Sequence, residues 1–346
     1  FLTPTSIVKL IVEIIEPFHG RILDPACGSG GMFVQSAEFV ERHKKDAMAE
    51  IAICGQEISS ENVNIAKMNL AVHGLAGDIK QGNSYYDDIH HSFGQFDFVM
   101  ANPPFNSKGI DKKKISDDPR FAFGLPKNDN GNYIWIQIFY SALNNTGRAG
   151  FVMANSASDA GNTEKDIRQK LIKEGVVDVI LAVDSNFFHT VTLPCTLWFL
   201  DKAKPKMYRK DKILFLDARG YYEQIDRAHR EFKPEQIQFF GDIVRLYRGE
   251  KPEFPENKLL SEKFPGLKYQ DIKGLCKLVD IKDIKEQDFS LNPGRYVGIK
   301  PLPPMPKKDF IAKMDSLSQE FAKLTIQSHE LEKSINENIK KIFNKK

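Results

Sequence analysis

The segment that decides the fold is Asp24-Pro-Ala-Cys-Gly-Ser-Gly-Gly31, which lies between a predicted strand over residues 21–24 and a predicted helix over residues 30–40. Its three glycines permit a sharp turn and let a ligand approach the backbone closely. The start of the following helix presents unpaired N–H groups, which favour a carboxylate or a phosphate. No Gly-Lys-Ser/Thr follows, which argues against a nucleotide-phosphate loop. The segment therefore predicts a ligand-binding turn after a strand, although such a turn taken alone also occurs without a ligand.

Short β-rich runs alternate with helical patterns on both sides of this segment, over the first two-thirds of the chain. Apolar spacing predicts a helix over residues 7–15 and another that begins at Ser59-Ser60-Glu61 and stops at Gly74. The further predicted strands are 52–57, 96–101, 150–154, 176–183, 196–200 and 213–216. This alternation predicts an α/β fold with a doubly wound, mostly parallel sheet that binds ligands at the carboxyl ends of its strands.

An acidic residue ends the strand that follows the glycine-rich segment. Glu57 lies 33 residues beyond Asp24. A carboxylate at this position can accept hydrogen bonds from the hydroxyl groups of a ribose. The alternative is an exposed charge at a strand end, and the pairing of Glu57 with the glycine-rich loop favours the ribose.

A second motif, Asn102-Pro-Pro-Phe105, ends the predicted strand over residues 96–101. Two successive prolines cannot continue a central strand, so the chain leaves the sheet in a rigid extended turn. Such a turn presents the amide oxygen of Asn102, the carbonyl of Pro103 and the ring of Phe105. Two acceptors beside an aromatic face suit a planar amine. Taken alone, the motif also fits an ordinary proline-rich exit from a sheet.

Composition narrows the class of protein. The chain has 346 residues, of which 41% are hydrophobic and 27% charged, which fits one large globular domain with additions. No run approaches the ~18 apolar residues of a membrane span, and four scattered cysteines lack the spacing of a zinc site, so we expect no membrane association, no metal and a cytoplasmic location. The net charge of +3 permits a nucleic-acid partner without requiring one. Because the chain begins at Phe1, inside a motif, we expect a preceding segment to be missing.

The pattern changes after residue 220. Residues 221–304 are charged and lack a clear strand pattern, so we expect an irregular extension of the domain formed by residues 1–220. Pro301-Leu-Pro-Pro-Met-Pro306 predicts a stiff connector. Residues 305–346 then predict one long helix with a heptad seam, which favours contact with another subunit, with packing on its own domain as the alternative. The seam consists of Phe310, Met314, Leu317, Phe321, Leu324, Ser328, Leu331, Ile335, Asn338 and Ile342.

Together the two motifs resemble the S-adenosylmethionine loop and the catalytic tetrapeptide of adenine-N6 DNA methyltransferases. Further segments resemble the modification (M) subunit of type I restriction–modification systems. These segments are Phe1-Leu-Thr-Pro4, Gly55-Gln-Glu57, Ala66-Lys-Met-Asn-Leu70, Val99-Met-Ala-Asn-Pro-Pro-Phe-Asn106, Gly147-Arg-Ala-Gly-Phe-Val152 and Leu291-Asn-Pro-Gly-Arg-Tyr-Val297. The resemblance implies the S-adenosylmethionine-dependent methyltransferase fold, with residues 1–220 as the catalytic domain. Family members usually carry a helical domain before the Thr-Pro motif.

The resemblance also implies roles for individual residues. Thr3 and Pro4 would lie against the amino-acid end of the cofactor, Glu57 would bind its ribose, and Asn83 takes the place of the family's adenine-binding Asp. The other implied cofactor-binding residues are Asp24, Pro25, Ala26, Gly28, Ser29 and Gly30. The implied catalytic residues are Asn102, Pro103, Pro104 and Phe105. Phe105 and Phe188 would stack on the target base. Phe187 could take this role instead of Phe188, and Phe188 could instead be an ordinary residue of the core.

The implied reaction is methylation of adenine N6 in double-stranded DNA, with S-adenosylmethionine as cofactor. The implied partners are DNA, the specificity (S) subunit through the C-terminal helix, a second copy of the chain and the restriction (R) subunit. Transfer to cytosine N4, an RNA base or a protein glutamine stays open, as does a non-catalytic role in assembly. Lys112-Lys-Lys114 with Arg120 predicts a solvated loop, with contact to the DNA backbone as the alternative.

Overall fold

The computed structural model describes residues 3–188, 194–226, 229–299 and 306–343. The chain forms two units, residues 1–299 and residues 300–346. The predicted boundary after residue 220 falls inside the first unit and stays a prediction. The predicted connector lies outside the described residues except for Pro306.

The secondary structure alternates as the sequence predicts. The helices are α1 (Thr5–Ile15), α2 (Gly31–Arg42), α3 (Ala47–Glu50), α4 (Ser60–Val72), α5 (Asn132–Ala142), α6 (Asn162–Lys173), α7 (Pro234–Arg248), α8 (Lys258–Lys263), α9 (Ile281–Glu286) and α10 (Lys307–Phe343). The strands are β1 (Gly20–Asp24), β2 (Ile51–Glu57), β3 (Gly77–Gln81), β4 (Phe96–Ala101), β5 (Leu143–Ala154), β6 (Val177–Val183), β7 (Cys195–Asp201), β8 (Lys212–Asp217), β9 (Glu223–Gln224), β10 (Arg230–Glu231) and β11 (Cys276–Asp280). All seven predicted strands are present, and β3 and β11 are additional members of the sheet.

Nine strands form one sheet in the order β11-β8-β6-β7-β5-β4-β1-β2-β3. Strand β7 is antiparallel to both neighbours, β5 and β6, and β11 is antiparallel to β8. The remaining pairs are parallel. The prediction of a doubly wound, mostly parallel α/β sheet is therefore confirmed.

The sheet is buried on both faces. Along β7, Leu197 and Phe199 belong to one apolar cluster, and Trp198 and Leu200 belong to the other. The first cluster includes side chains of α1, α2 and α7, and the second includes side chains of α5 and α6. Because successive side chains of a strand point to opposite faces, this alternation places helices on both sides of the sheet.

The parallel strands β5, β4, β1 and β2 are neighbours, so their carboxyl ends meet at one edge of the sheet. Strand β1 ends at Asp24, β2 ends at Glu57, and Asn102 and Asn155 follow directly after β4 and β5. The fold thereby brings together polar residues that are far apart in the sequence. This edge is where a doubly wound sheet binds ligands.

The segment after residue 220 is not irregular throughout, contrary to the expectation. Helix α7 buries Ile237, Phe240 and Val244, which recur at spacings of three and four residues. Strand β11 pairs with β8 over five residue pairs. The charged residues and prolines around these elements hide their short apolar patterns in the sequence.

Buried charges join α7 to α1. Arg245 donates hydrogen bonds to the carboxylates of Glu13 and Glu16, at 2.8 Å each. Arg248 donates to the carbonyl of Ile14 at 2.8 Å. Since removing one partner of a buried ion pair leaves an uncompensated charge, these contacts fix α1 firmly against α7.

The second unit contains α10, a single helix of 37 residues, which confirms the predicted C-terminal helix. The seam side chains are exposed as far as they are described, and Phe321 is 73% exposed. The exposed apolar members of the seam are Phe310, Met314, Leu317, Phe321, Leu324, Leu331 and Ile335. Across the described residues, no helix combines the length and hydrophobicity needed to span a bilayer.

Candidate active site

The glycine-rich loop connects β1 to α2 in a tight turn. Gly28 and Gly30 adopt φ angles of 50° and 78°, which L-residues with a Cβ rarely adopt. The N–H of Ala26 donates to Asp24 Oδ1 at 3.0 Å, which closes the first half of the turn. Helix α2 begins immediately after Gly30. The backbone conformation therefore explains why glycine stands at these two positions.

Glu57 holds this loop to the start of α4. Its Oε2 accepts the N–H of Gly28 at 3.0 Å, and its Oε1 accepts the N–H of Ser59 at 3.0 Å. The side chain is only 9% exposed, so Glu57 is not the exposed strand-end charge that was its alternative role. Each carboxylate oxygen can accept more than one hydrogen bond, which leaves capacity for a ligand hydroxyl.

Asp24 lies beneath the loop and is 2% exposed. Burial raises the pKa of Asp24 to about 8; the hydrogen bond from Ala26 opposes this shift, and the nearby charge of Glu57 adds to it. The carboxyl group is therefore largely protonated near neutral pH. A positively charged ligand group nearby would favour the ionised form.

In the turn after β4, the side-chain amide of Asn102 forms a hydrogen bond through its nitrogen but not through its oxygen, within the described residues. Asn102 Nδ2 donates to Thr3 Oγ1 at 3.0 Å. Asn102 Oδ1 is buried and accepts no hydrogen bond within the described part of the chain. A buried acceptor left without a donor is costly unless a ligand or water supplies one. Asn102 Oδ1 is therefore an acceptor with capacity for a donor from a ligand or a water molecule.

Two hydrogen bonds in opposite directions between Asn106 and Asn132 fix the end of this turn. Asn106, which has a φ of 53°, donates its N–H to Asn132 Oδ1 at 2.9 Å. Asn132 Nδ2 in turn donates to Asn106 Oδ1 at 3.0 Å. Asn132 is the first residue of α5 and is buried. Helix α5 thus fixes the chain directly after Phe105.

These segments surround one cavity of about 700 Å³ at the carboxyl edge of the sheet. The predicted site residues that line it are Pro25, Ala26, Gly28, Glu57, Asn83, Asn102, Pro103, Pro104, Phe105 and Phe188. A cavity of this size is in the range that holds a cofactor-sized ligand. Residues from five separate stretches of sequence therefore converge on one site.

The other predicted residues lie around the cavity. Thr3 contacts Asn102, and Pro4 is buried just before α1. Asp24 supports the loop from beneath. The carbonyl of Ser29 accepts from Asn69 Nδ2 at 2.9 Å, and Gly30 precedes α2.

The two neighbouring phenylalanines after β6 are both buried in the same apolar cluster, but only one borders the cavity. Phe188 lines the cavity and is 7% exposed, so it belongs both to the core and to the cavity wall. Phe187 packs against Phe232, with ring centroids 4.5 Å apart, and is buried in the core. Of the two, Phe188 is thus the ring that borders the cavity.

Residues 1–302 match the protein family described as N-6 DNA Methylase. The chain belongs to this family. It is 38% identical over 347 aligned residues to the type I restriction enzyme MjaIX methylase subunit of Methanocaldococcus jannaschii, covering 97% of this chain and 58% of that protein. It is 33% identical to the HindI methylase subunit of Haemophilus influenzae, covering 98% of this chain and 72% of that protein.

A solved structure has the same fold. The type I methyltransferase subunit of Streptococcus thermophilus superimposes with a TM-score of 0.71 at 22% identity, over 87% of this chain and 59% of that one. The fold is therefore the S-adenosylmethionine-dependent methyltransferase fold. This chain spans little more than half the length of two of these three relatives.

The residues of the cavity fit the cofactor that the family and fold imply. Glu57 borders the cavity with a carboxylate for hydroxyl groups, and an added Cβ at Gly28 would meet no atom within 4 Å, so the loop is open toward a ligand. Asn83 Oδ1 accepts the N–H of Tyr85 at 3.1 Å, which leaves its amide nitrogen for another partner.

Several lining residues were not predicted: Asn62, Tyr85, Trp135, Asn155 and Ser156. The rings of Tyr85 and Trp135 pack with centroids 4.8 Å apart. Asn155 could have been predicted as a site residue from the sequence, because it directly follows a predicted strand. Trp135 could not have been, since α5 itself was not predicted.

Of the cations after the Asn102-Pro-Pro-Phe105 turn, Arg120 and Lys112 have structural partners, whereas Lys113 and Lys114 are exposed. Arg120 is 3% exposed, pairs with Asp118 at 2.7 Å and donates to the carbonyl of Ser84 at 2.9 Å. Lys112 Nζ donates to the carbonyl of Asn128 at 2.5 Å. Arg120 is therefore neither solvated nor available to DNA, and it supports a loop that lines the cavity.

Proposed function

We propose that this chain is the modification subunit of a type I restriction–modification complex. In this proposal it transfers a methyl group from S-adenosylmethionine to N6 of an adenine flipped out of double-stranded DNA. Membership of the N-6 DNA methylase family and identity to type I methylase subunits support it.

One observation carries the proposal: Asn102 lines the cavity, and its buried Oδ1 accepts no hydrogen bond from the described residues. A ligand N–H group that donates to this oxygen would satisfy it. Pro103, whose carbonyl is a second acceptor, and the rings of Phe105 and Phe188 border the same cavity. A flat ring that carries an amino group matches these features.

The same groups suit the chemistry of the amine. The N6 lone pair of adenine is delocalised into the ring, which makes the nitrogen a weak nucleophile. Accepting its two N–H groups at Asn102 Oδ1 and the Pro103 carbonyl favours a tetrahedral nitrogen with a localised lone pair. Stacking by Phe105 and Phe188 holds the base outside the duplex. Positioning and electrostatic stabilisation then supply most of the rate enhancement.

The loop side of the cavity is assigned to the cofactor. S-adenosylmethionine, when bound, supplies an activated methyl group on a positively charged sulfur. Glu57 accepts ribose hydroxyls, and Asn83 contacts the adenine. Pro25, Ala26 and Gly28 border the methionine part. Asp24 supports these residues from beneath, and the positive charge of the bound cofactor would favour the ionised form of its carboxyl group.

The test is methyl transfer from labelled S-adenosylmethionine to duplex DNA, with the specificity subunit from the same locus present. Asn102→Ala should lower turnover at least about a hundredfold, because it removes a contact that matters in the transition state. Its cofactor affinity should stay within about twofold of wild type. Asn144→Ala, at the opposite end of the sheet, is the matched control.

Analysis of the methylated product decides between substrates. N6-methyladenine in DNA is expected. N4-methylcytosine, a methylated RNA base or a methylated glutamine would each overturn the proposal. These are the alternatives because each substrate carries a planar NH₂ group that the same two acceptors can hold. A purified chain that binds no cofactor would support a non-catalytic assembly subunit.

We also propose that α10 joins the chain to the specificity subunit, within a cytoplasmic complex that holds a second copy of the chain and the restriction subunit. The exposed heptad seam supports a helical partner. The small net charge of +3 also favours shared DNA binding, because affinity for DNA depends on phosphate neutralisation.

A further inference from the structure

The side chain of Asn102 is tied to a residue 99 positions earlier in the chain. Its Nδ2 donates to Thr3 Oγ1 at 3.0 Å. Thr3 precedes Pro4, whose carbonyl accepts the N–H groups of Ile7 and Val8 at the start of α1. The hydroxyl therefore lies directly before the first turn of a helix.

Helix α1 provides a rigid support for this hydroxyl. Most of its residues are buried, and it packs against α2, α7 and β5. The ion pairs of Arg245 with Glu13 and Glu16 tie it to α7. Thr3 therefore has a defined position relative to the end of β4.

A carboxamide has two orientations that differ by half a turn about its last side-chain bond. In the observed one, Nδ2 is satisfied by Thr3 and Oδ1 is left without a partner. In the reversed one, the Thr3 hydroxyl would donate to the amide oxygen, and two unpaired N–H donors would be buried in place of one unpaired acceptor, which costs more and would oppose an incoming amine. The orientation of the amide thus decides whether a ligand amine finds an acceptor.

We propose that Thr3 is a positioning residue that holds the Asn102 amide with Oδ1 available to the target amine. This proposal rests on the proposed function, because an amine substrate is what requires the acceptor. It differs from the role implied by the family resemblance, in which Thr3 contacts the cofactor. The two roles predict different kinetic effects.

The test compares Thr3→Val, which keeps the shape but removes the hydroxyl, with Thr3→Ser, which keeps the hydroxyl. Thr5→Val, at an exposed position two residues later, is the matched control. Single-turnover methyl transfer is measured on the full chain with its specificity subunit, at saturating S-adenosylmethionine. Thr3→Val should slow transfer on the order of tenfold, the effect of losing one hydrogen bond to a buried amide. Cofactor affinity should stay within about twofold, and Thr3→Ser and Thr5→Val should resemble wild type.

Two outcomes would overturn the proposal. One is a wild-type rate in Thr3→Val. The other is a defect that disappears at saturating cofactor, which would make Thr3 only a cofactor contact. If Thr3→Val does not fold, as judged by its thermal unfolding, Thr3→Ala replaces it in the same comparison.

A second measurement is independent of activity. The side-chain amide signal of Asn102, identified by its loss in Asn102→Ala, should exchange slowly with solvent in wild type and Thr3→Ser. It should exchange faster in Thr3→Val; equal exchange in all three proteins would refute the role of Thr3. If the wild-type complex methylates no DNA, the proposed function fails while this measurement still decides whether Thr3 holds the amide.

Discussion

Replacing Glu57 with alanine tests the cofactor side of the cavity. Its carboxylate is 9% exposed and accepts one backbone N–H on each oxygen. A hydrogen bond to a charged group contributes about 1.5–3 kcal/mol. Loss of the bond to ribose should therefore weaken S-adenosylmethionine binding by about ten- to 150-fold.

The same substitution removes the acceptor for the N–H groups of Gly28 and Ser59. An unsatisfied buried donor costs about 1–3 kcal/mol, and water entering the cavity reduces that cost. We expect the free energy of unfolding to fall on the order of 2 kcal/mol in Glu57→Ala. Glu57→Gln keeps an oxygen for only one of the two donors. It should therefore lie between wild type and Glu57→Ala in both cofactor affinity and free energy of unfolding.

Isothermal titration calorimetry of the full chain with S-adenosylmethionine measures the affinity, and urea unfolding measures the stability. Glu61→Ala is the matched control, because Glu61 is an exposed acidic residue in the first turn of α4. If Glu57→Ala binds within about twofold of wild type, Glu57 does not contact the cofactor. If Glu61→Ala loses as much affinity, the effect is general electrostatics and not a contact of Glu57.

Asp24→Asn should change how stability depends on pH. The folded protein keeps a proton on Asp24 up to a pKa of about 8, whereas the unfolded chain releases it above the ordinary value of 3.8. Between these two pKa values, the free energy of unfolding of wild type should therefore fall relative to that of the variant as pH rises, and above a pH of about 8 the difference should stay constant. Urea unfolding from about pH 5 to about pH 9 measures this difference. Asn132→Ala should lower the free energy of unfolding by about 1–3 kcal/mol and slow methyl transfer without changing cofactor affinity, because it releases Asn106 after Phe105; an unchanged transfer rate would contradict this. Deleting residues 307–346 should abolish co-purification with the specificity subunit and site-specific methylation but preserve cofactor binding by calorimetry, and normal co-purification would disprove the assembly role of α10.

The sequence was sufficient for features that depend on local pattern. The turn around Gly28 requires positive φ angles, and the two prolines after Asn102 end a strand, so both can be inferred from a few neighbouring residues. Alternating apolar runs predicted seven strands of the sheet. Glu57 was found because it ends one of those strands.

Features that depend on distant contacts were not predicted. The antiparallel insertion of β7 between β5 and β6 is set by packing across the whole sheet. Trp135 borders the cavity only because α5 crosses beside the turn after β4. Arg120 looked like a surface cation, and its burial follows from carbonyl groups supplied by another loop. The bond between Thr3 and Asn102 likewise leaves no local pattern.

The contacts between α1 and α7 have a consequence for the order of events during synthesis. Glu13 emerges from the ribosome more than 200 residues before Arg245, with which it shares a buried ion pair. Until then Glu13 can pair only with Arg42 of α2, and Glu16 only with Arg148 of β5, so α1 docks with an incomplete set of ion pairs. The helix that follows Thr3 should therefore reach its final packing late, and the nascent chain should leave the apolar face that α7 covers exposed to chaperones for many seconds. A fragment that stops before α7 would remain in this incomplete state.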